Sequence, residues 1–529
     1  MVRDGGEGEY PTGDFLAFLP VGAGCRRRVP DTSRPGRSRG RPLDSLNSFI
    51  LDVNDVFWAY YLIPLVVGAA LFFTFRSRAV QIRLLPEMFR VLRDKAQTGP
   101  DGSKQVSSFK AFTISAAARV GTGNIAGVAT AITAGGAGAV FWMWVMALLG
   151  AASAFVESSL AQLYKVRNKK ESGNAAGTYR GGPAYYMQHG LGKRWAGLVF
   201  AVVITLTFGF VFNAVQSNTI ASVARGSLGD GIPEAGIGLV LVLLLGAVVF
   251  GGVRRVAAVS SVVVPVMAVL YLVLGAAVVV LNIGDVPRVL ADIVGGAFGV
   301  REVAGGALGA AIQQGVRRGM FSNEAGLGSA PNAAATAEVT HPVKQGLVQT
   351  LGVFFDTLLI CSMTAFIILT SNPSLSERAG ADLTQSALTG TLGGWAGHVL
   401  TVVVFLLAFS TLIGNYYYGE SNIQFMTGKR WALPSYRVLV LVAVFAGALG
   451  SVDVVWNLAD VFMGGMALVN LLAILPLSAI AWKLLDDYLA QRRDGLDPVF
   501  TRERVPGLPG RIECWEGERA SSSEPVAER

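Results

Sequence analysis

The residues best suited to chemistry in this chain are glycines, amides and hydroxyls that lie inside apolar segments. Gly121, Thr122, Gly123 and Asn124 interrupt an apolar run at about 111–134. Backbone groups that leave a helix inside lipid need partners in protein, water or a ligand. The NH groups that start a half-helix suit a carboxylate, and the carbonyls that end the other half can hold a cation. The break therefore predicts a binding site, with close helix packing by small residues as the structural alternative.

A second stretch rich in glycine and polar residues, 315–331, lies in a later apolar segment. Two interrupted spans, each opening one half of a polytopic chain, are typical of secondary transporters built from inverted repeats. The second stretch also contains Arg317, Arg318 and Glu324. We expect these charges to form a fixed ion pair or a gate rather than to contact a solute.

Two further apolar segments carry polar side chains that should face the bundle interior, because they are costly in lipid. Gln216 lies in a cluster of amides and is the candidate for solute contact. Ser410 and Thr411 offer adjacent hydroxyls, and the Leu407 carbonyl lies one turn earlier. Asn415 follows Thr411 by one turn on the same face. We predict a cation at the two hydroxyls beside a solute at Asn415; hydroxyl bonding to the preceding turn is the alternative.

The composition indicates an integral membrane protein. Of the 529 residues 52% are hydrophobic and only 15% are charged, which is far from an ordinary soluble composition. The net charge of +8 comes from basic residues clustered in loops, which we interpret as topology signals and not as a nucleic-acid surface. The three cysteines and three histidines are widely separated. We therefore expect no metal cluster, no cofactor and no enzyme chemistry.

Apolar segments long enough to span a bilayer predict an all-α polytopic protein with about eleven crossings. They lie at about 56–75, 110–134, 139–163, 196–223, 235–251, 256–281, 303–335, 345–370, 397–425, 435–450 and 453–485. The loop after the first span is rich in Lys and Arg, so we place it in the cytoplasm. Alternation from there predicts an outside N-terminus, a cytoplasmic C-terminus and a location in the plasma (inner) membrane.

Setting the first span aside leaves ten, which divide into two sets of five with opposite orientation. The two interrupted spans each come first in their set. The predicted organisation is a disordered basic arm (1–48), the first transmembrane helix with a cytoplasmic amphipathic loop (49–109), a first five-helix repeat (110–281), a second five-helix repeat (282–485) and a disordered cytoplasmic tail (486–529).

Several runs resemble the alanine/glycine:cation symporter family. They are GTGNIAGVA at 121–129, GAGAVFWMW at 136–144, GGPAYYM at 181–187, RGMFSNEAGLGSAP at 318–331, HPVKQG at 341–346 and the stretch 409–420. The runs cover about 55–485 in the expected order. The resemblance implies a LeuT-type 5+5 inverted repeat after one extra N-terminal helix, and sodium-driven uptake of alanine or glycine.

The resemblance also implies site residues. The sodium ligands would be the carbonyls of Ala117, Val120 and Leu407 with the hydroxyls of Ser410 and Thr411. The amino acid would lie beside Thr122, Gly123, Asn124, Gln216, Thr411 and Asn415. The family more often has Trp where this chain has Asn415. A short amide in place of a bulky aromatic ring should give a larger and more polar pocket, so we expect a substrate that is larger or more polar than glycine.

Three alternatives remain at the level of sequence. A transporter could be coupled to protons through Asp356 or Glu324, which are ionisable groups inside apolar segments. A membrane enzyme would need a nucleophile and base pair or a metal cluster, and a sensor would need a folded signalling domain; the sequence offers neither. The expected partners are a small neutral amino acid, sodium and membrane lipid, with the monomer as the functional unit.

Overall fold

Helices make up most of the described chain, because inside lipid only a helix or a closed barrel satisfies all backbone groups internally. The computed structural model describes residues 54–96, 105–168, 177–228, 233–299, 305–371, 380–450 and 452–515. The predicted arm at 1–48 lies outside these residues. Within the described residues, two short strands, β1 (Val166–Arg167) and β2 (Tyr179–Arg180), pair in an antiparallel ladder.

The helices in chain order are α1 (Asn54–Arg76), α2 (Val80–Arg83), α3 (Leu85–Leu92), α4 (Ser108–Arg119), α5 (123–135), α6 (Gly138–Leu163), α7 (Pro183–His189), α8 (Arg194–Ser227), α9 (Glu234–Val249), α10 (Gly252–Leu281), α11 (Val286–Ala297), α12 (Gly305–Asn323), α13 (Ala330–Ala334), α14 (Pro342–Ser371), α15 (Gly380–Leu392), α16 (Gly394–Met426), α17 (Ala432–Ala448) and α18 (Val452–Arg493). Single-turn helices at Ile283–Asp285 and Arg502–Arg504 complete them.

Helices lie at each of the eleven predicted spans. By length and composition, seven described helices could cross a membrane, namely α1, α6, α8, α10, α14, α16 and the part of α18 from Val455. Two shorter apolar helices, α9 and α17, lie at two more predicted spans. The remaining two spans are divided between α4 and α5 and between α12 and α13. The number of crossings and the inverted repeat stay predictions.

Both predicted interruptions are present in the structure. In the first, α4 ends at Arg119, and Val120 leaves the helix with φ −81° and ψ 87° before a π-helical turn opens α5. In the second, residues 324–329 separate α12 from α13. Gly326 and Gly328 take positive φ there, and so does Glu324 at +58°. A left-handed conformation is uncommon for a residue with a side chain, so surrounding contacts must hold this segment.

The two breaks meet near the centre of the described helices. A Cβ on Gly123 would lie 2.8 Å from Cδ1 of Phe321 and 3.6 Å from the Cα of Ser322. The Asn124 side chain donates to Ser322 Oγ at 3.0 Å. Glycine is therefore required at 123 for the two interrupted spans to approach each other this closely.

The predicted disordered tail requires a correction for residues 486–515. Helix α18 continues to Arg493, and the chain beyond it packs against the ends of other helices. Phe500 donates its NH to the Thr340 carbonyl at 2.8 Å, and Trp515 Nε1 donates to the Gln162 carbonyl at 3.0 Å. The apolar side chains Phe500, Val505, Leu508, Ile512 and Trp515 are all buried. Their wide spacing among polar residues hid this packing at the level of sequence. Residues 516–529 lie outside the described part.

Candidate functional site

Three backbone carbonyls converge on the hydroxyl of Thr411. Its Oγ1 lies 2.9 Å from the Ala117 oxygen, 3.3 Å from the Val120 oxygen and 3.0 Å from the Leu407 oxygen. A threonine hydroxyl has one hydrogen to donate, so it cannot satisfy the Ala117 and Val120 carbonyls at once. The cluster is rich in oxygen lone pairs, and Thr411 itself is buried. Such a cluster is suited to a hard cation.

The end of α4 supplies two of these carbonyls. The Gly121 NH donates to Asn124 Oδ1 at 2.8 Å and not to the Ala117 carbonyl, as a continuing helix would require. The carbonyl end of a helix also carries the negative end of the helix dipole. The break at Val120 therefore provides unpaired acceptors with favourable electrostatics for a positive ion.

Helix α16 supplies the rest of the cluster, and Gly414 allows it to approach. A Cβ on Gly414 would lie 2.7 Å from the Ala118 nitrogen, so a larger residue would push α16 away from α4. Ser410 donates to the Leu407 carbonyl at 2.8 Å and contacts Met267 Sδ at 3.2 Å. The five predicted sodium ligands thus lie together, although the Ser410 hydroxyl makes the back-bond that the sequence left open.

No carboxylate or imidazole group competes with this oxygen cluster as a metal site in the described ranges. Among those residues, no group of three or more His, Cys, Asp or Glu could hold a metal ion. Divalent and transition metals prefer such charged or imidazole ligands. The neutral oxygens around Thr411 instead fit a monovalent hard cation that is bound and released.

Gln216 stands directly beside the first break. Its Oε1 accepts the Thr122 NH at 3.1 Å, the kind of acceptor position at a half-helix start that suits a carboxylate oxygen. A Cβ on Gly121 would lie 3.0 Å from this Oε1 and 2.3 Å from Thr411 Oγ1. The sequence analysis predicted that Gln216 and Thr411 belong to one site. In the structure both side chains lie beside Gly121.

Two predicted solute contacts carry polar atoms without a partner. Both amide atoms of Asn415 and the Thr122 hydroxyl lack a hydrogen bond within the described part of the chain. Asn415 is 0% exposed and Thr122 1% exposed. A buried polar group left unpaired costs about 1–3 kcal/mol, so such groups need a ligand or water. A polar solute or water could therefore pair with these atoms.

Asn124 occupies a different position from the one predicted for a direct contact. Its Oδ1 accepts the Gly121 NH, and its Nδ2 lies 2.6 Å from Asp356 Oδ1 and 3.0 Å from Ser322 Oγ. The amide is 0% exposed and is used by these protein groups. Asn124 therefore positions the break, while its direct contact with a solute, like that of Gly123, stays a prediction.

Asp356 and Ser322 form a junction that sequence reasoning did not assemble. Asp356 Oδ2 accepts from Ser322 Oγ at 2.6 Å and from Thr357 Oγ1 at 2.9 Å, while Oδ1 binds Asn124. The sequence analysis had named Asp356 only as an ionisable group that could couple transport to protons. Asp356 is far from Asn124 and Ser322 along the sequence, so their positions gave no sign that the three side chains would meet.

Glu157 of α6 holds the second break in place through hydrogen bonds. Glu157 Oε1 accepts the Gly326 NH at 3.3 Å, and Oε2 accepts the Gly328 NH at 3.1 Å and Asn470 Nδ2 at 2.8 Å. The carboxylate is 0% exposed. Its two oxygens thus satisfy backbone NH groups that the missing helical turn leaves open.

The expected pairing of Arg317 and Arg318 with Glu324 is wrong. Arg318 binds Asp460 in a bidentate pair with distances of 3.1 and 2.9 Å, and Arg317 Nη2 lies 2.9 Å from Asp55 Oδ1. Glu324 instead accepts from Ser329 Oγ at 2.8 Å. The reason is that Glu324 begins the non-helical segment, which turns it away from the arginine face of α12.

Aromatic rings flank the arginine cluster of α12. Arg318 also lies over the Trp456 ring, and Arg317 lies over Trp58 of α1. Trp456 contacts Phe321 with ring centroids 5.2 Å apart, and Phe321 in turn contacts Phe212 at 4.9 Å. A continuous layer of ion pairs and aromatic rings therefore leads from this cluster to the second break.

Comparison with known proteins assigns this chain to a family. Residues 43–502 match the sodium:alanine symporter family. The chain is 52% identical to the amino-acid carrier protein AlsT of Bacillus subtilis over 474 residues, which cover 89% of this chain and 98% of that one. It is 50% identical to the probable sodium/glutamine symporter GlnT of the same organism, with 87% and 94% covered. It is 36% identical to the sodium/alanine symporter AgcS of Methanococcus maripaludis, with 82% and 95% covered.

The fold has a solved counterpart. The crystal structure of MhsT in complex with L-phenylalanine aligns with a TM-score of 0.51 at 15% identity, covering 73% of this chain and 99% of that one. At this identity the likeness shows the fold alone, which is the predicted LeuT type. The chain is a multi-pass membrane transporter and not an enzyme. It belongs to the sodium:alanine symporter family and is a sodium-coupled amino-acid symporter.

Proposed function

We propose that this protein drives the uptake of a small neutral amino acid, such as alanine or glycine, with sodium. The observation that carries the proposal is the oxygen cluster around Thr411, one helical turn from the unpaired amide of Asn415. Ion and solute would thus bind to the same helix and to the same break. A shared site of this kind gives each ligand a reason to favour the other's binding.

The cation would bind between the end of α4 and α16. Its ligands would be the carbonyls of Ala117, Val120 and Leu407 with the hydroxyls of Ser410 and Thr411. Binding there links the two helices, since the oxygens come from both. A positive ion would satisfy the acceptors that one hydroxyl hydrogen leaves open. Sodium would in this way stabilise the conformation that accepts the amino acid.

The amino acid would bind on the other side of Gly121. Its carboxylate would accept the Thr122 NH, the position that Gln216 Oε1 now takes. The Thr122 hydroxyl and the Asn415 amide would contact the remaining polar groups. Rocking of the bundle would then release both ligands on the opposite side. Each inward-moving sodium ion contributes about 2.3 kcal/mol per 100 mV of membrane potential.

A larger or more polar amino acid is the second candidate substrate. The specific observation is that neither amide atom of Asn415 has a protein partner in the described part of the chain. A side-chain amide of the substrate could pair with both atoms at once, whereas the methyl group of alanine could not. A relative at 50% identity is named a probable sodium/glutamine symporter, which supports testing glutamine beside alanine.

Proton coupling is the third candidate. Asp356 and Glu324 are both buried, at 0% and 2% exposure, and either could carry a proton between states. Asp356 is the more direct choice because it binds Asn124 at the first break. Uptake that is independent of sodium but driven by an inward proton gradient would favour this candidate over sodium coupling.

The test is uptake of labelled alanine and glutamine into proteoliposomes, with and without an inward sodium gradient. Thr411→Ala should remove most of the sodium-dependent part. The matched control is Thr133→Ala, because the Thr133 hydroxyl bonds only to carbonyls of its own helix at Ala129 and Thr130. Sodium-dependent uptake that survives Thr411→Ala unchanged would overturn the assigned ion site.

We further propose that the protein works as a monomer in the plasma membrane, with its N-terminus outside and its C-terminus in the cytoplasm. The basic loop after α1 and the basic residues at 429–430 support this orientation. Attachment of a membrane-impermeant label to a C-terminal tag in intact cells would contradict it.

A further inference from the structure

The chain turns sharply where the first span ends. Helix α1 ends at Arg76, and Arg78 and Ala79 both take left-handed conformations, with φ of +55° and +53°. The Ala79 NH donates to the Thr74 carbonyl at 2.8 Å, and the Val80 NH donates to Ser77 Oγ at 3.3 Å. Two consecutive left-handed residues with side chains are costly, so these bonds must fix the corner. It ends the span and redirects the chain into α2 and α3.

The two short helices after the corner have an apolar face that the described part of the chain leaves partly exposed. The apolar face consists of Ile82, Leu85 and Phe89, which are 62%, 37% and 50% exposed. Leu85 and Phe89 are four residues apart on one side of α3, and Ile82 precedes them on α2. Met88 and Val91 of the same helix are fully buried against the protein. The segment thus presents apolar side chains in two directions, and the protein covers only one.

Arginines surround the apolar face. The basic rim consists of Arg76, Arg78, Arg83 and Arg93. All four are exposed, and in the part of the chain that the structure describes none of them forms an ion pair. Arg83 Nη2 makes one long bond of 3.4 Å to the Ser77 carbonyl. In the described part of the chain, acidic residues therefore leave the positive charge of the rim uncompensated.

The acidic residue of α3 is fully engaged on the covered side. Glu87 accepts from Arg90 at 2.8 Å and from the Tyr488 hydroxyl of α18 at 2.5 Å. Burial alone would raise the pKa of Glu87, but these hydrogen bonds hold that pKa below its ordinary value. Glu87 is thus a fixed anion directed away from the basic rim. The same covered side connects to α14 through Lys344 and Asp94 at 2.9 Å.

We propose that the basic rim and the apolar face together form a binding surface for anionic phospholipids. The apolar face enters the acyl region at the membrane surface, and the rim arginines bind the lipid phosphates. A short amphipathic helix with basic residues at the edge of its apolar side is suited to such an interface. Its position directly after a span puts it at the level of the headgroups. The charge of the rim selects anionic over zwitterionic lipid.

The test is native mass spectrometry of the delipidated full-length protein titrated with phosphatidylglycerol or phosphatidylcholine. The unmodified protein should retain more phosphatidylglycerol than phosphatidylcholine. The triple variant Arg76→Gln/Arg83→Gln/Arg93→Gln should bind phosphatidylglycerol at least about tenfold more weakly, since each basic residue near an anionic surface contributes roughly fivefold. It should bind phosphatidylcholine as before.

The matched control is Lys193→Gln/Lys429→Gln/Arg430→Gln, which removes the same charge from exposed positions elsewhere. Equal loss of phosphatidylglycerol binding in the two triple variants would overturn the proposal, and so would no loss in the rim variant. Unchanged thermal unfolding of both variants in detergent shows that the comparison concerns binding and not folding. The readout does not depend on which solute the protein carries.

The apolar face needs its own test, because a second copy of the chain could also cover it. Ile82→Ser/Phe89→Ser should weaken binding of phosphatidylglycerol, and the unmodified protein should have the mass of a monomer. A dimer mass that this variant abolishes would assign the face to a second copy and would overturn the lipid proposal.

Discussion

The two helix breaks have similar sequences, rich in glycine and polar residues, but their backbone groups are satisfied differently. At the second break, the NH groups of Gly326 and Gly328 donate to the buried carboxylate of Glu157, which α6 holds in place. At the first break, the carbonyls of Ala117 and Val120 share one hydroxyl, that of Thr411. The NH groups of Gly326 and Gly328 are thus satisfied by one fixed carboxylate, and we call the second break the saturated break for this reason. The two carbonyls of the first break have one hydroxyl hydrogen between them.

This difference separates a structural break from a binding break. Both leave the helical ladder inside apolar surroundings, so both need partners. Where a side chain of the protein supplies every partner, a ligand has nothing to add. Where the number of acceptors exceeds the number of donors, a cation completes the arrangement. Counting backbone groups against their partners therefore supports the proposed ligand site more directly than glycine content does.

The largest expected effect is at the saturated break. Glu157→Ala leaves the NH groups of Gly326 and Gly328 and the amide of Asn470 without their buried partner. We expect a loss of about 3–5 kcal/mol in the free energy of unfolding, measured by denaturation in detergent, because each buried group left unpaired costs about 1–3 kcal/mol.

The control for this variant is Glu234→Ala, which removes a half-exposed ion pair with Arg225 and should cost at most about 1 kcal/mol. Similar losses in the two variants would mean that Glu157 does not hold the second break, and the contrast between the breaks would fail.

The next effect is at the binding break. Gly121→Ala puts a methyl group 2.3 Å from Thr411 Oγ1 and 3.0 Å from Gln216 Oε1. Displacing either by about 1 Å can cost about a hundredfold in activity, so sodium-dependent uptake should fall by about that factor.

Gly127→Ala is the matched control, because a Cβ on Gly127 would meet nothing within 4 Å. It lies in the same interrupted span and should keep nearly full uptake. Comparable rates for the two alanine variants would show that the space beside Thr411 is not part of the transport site.

The smallest effect concerns selectivity. Asn415→Ala removes two unpaired amide atoms, so it should weaken binding of a substrate with a polar side chain by roughly tenfold, about 1.4 kcal/mol. Binding of alanine should change little. Competition of unlabelled glutamine and serine against labelled alanine measures the ratio. Asn282→Ala is the control, since Asn282 only bonds back to the Val278 carbonyl. Unchanged competition by glutamine would remove Asn415 from the pocket.

The sequence was sufficient to predict the elements that depend on local composition. Apolar segment lengths gave the helices, and the glycines gave both breaks. Gln216 and Thr411 were predicted because polar side chains in apolar segments must face the bundle, and the structure brings them to the same glycine. The sodium ligands Ala117 and Val120 came from the family resemblance and not from spacing.

What failed depends on contacts between distant parts of the chain. Arg318 pairs with Asp460, which lies 142 residues away, whereas Glu324 was the nearest acidic residue along the sequence. The contact of Asn124 with Asp356, a residue of another helix, was likewise not visible in the sequence, and its predicted contact with the solute stays a prediction. The tail seemed disordered because its apolar residues are sparse, yet five of them find buried positions. The local sequence pattern does not show which distant residue a side chain will contact in the fold.

The most direct test of the central claim is equilibrium binding of radioactive sodium to the purified protein without any amino acid. The account predicts saturable binding that Thr411→Ala abolishes, because its hydroxyl is the common point of three carbonyls. Binding should persist in Thr411→Ser, which keeps the hydroxyl, and in Glu157→Gln at the saturated break. Sodium binding that is unchanged in Thr411→Ala and lost in Glu157→Gln would contradict the account.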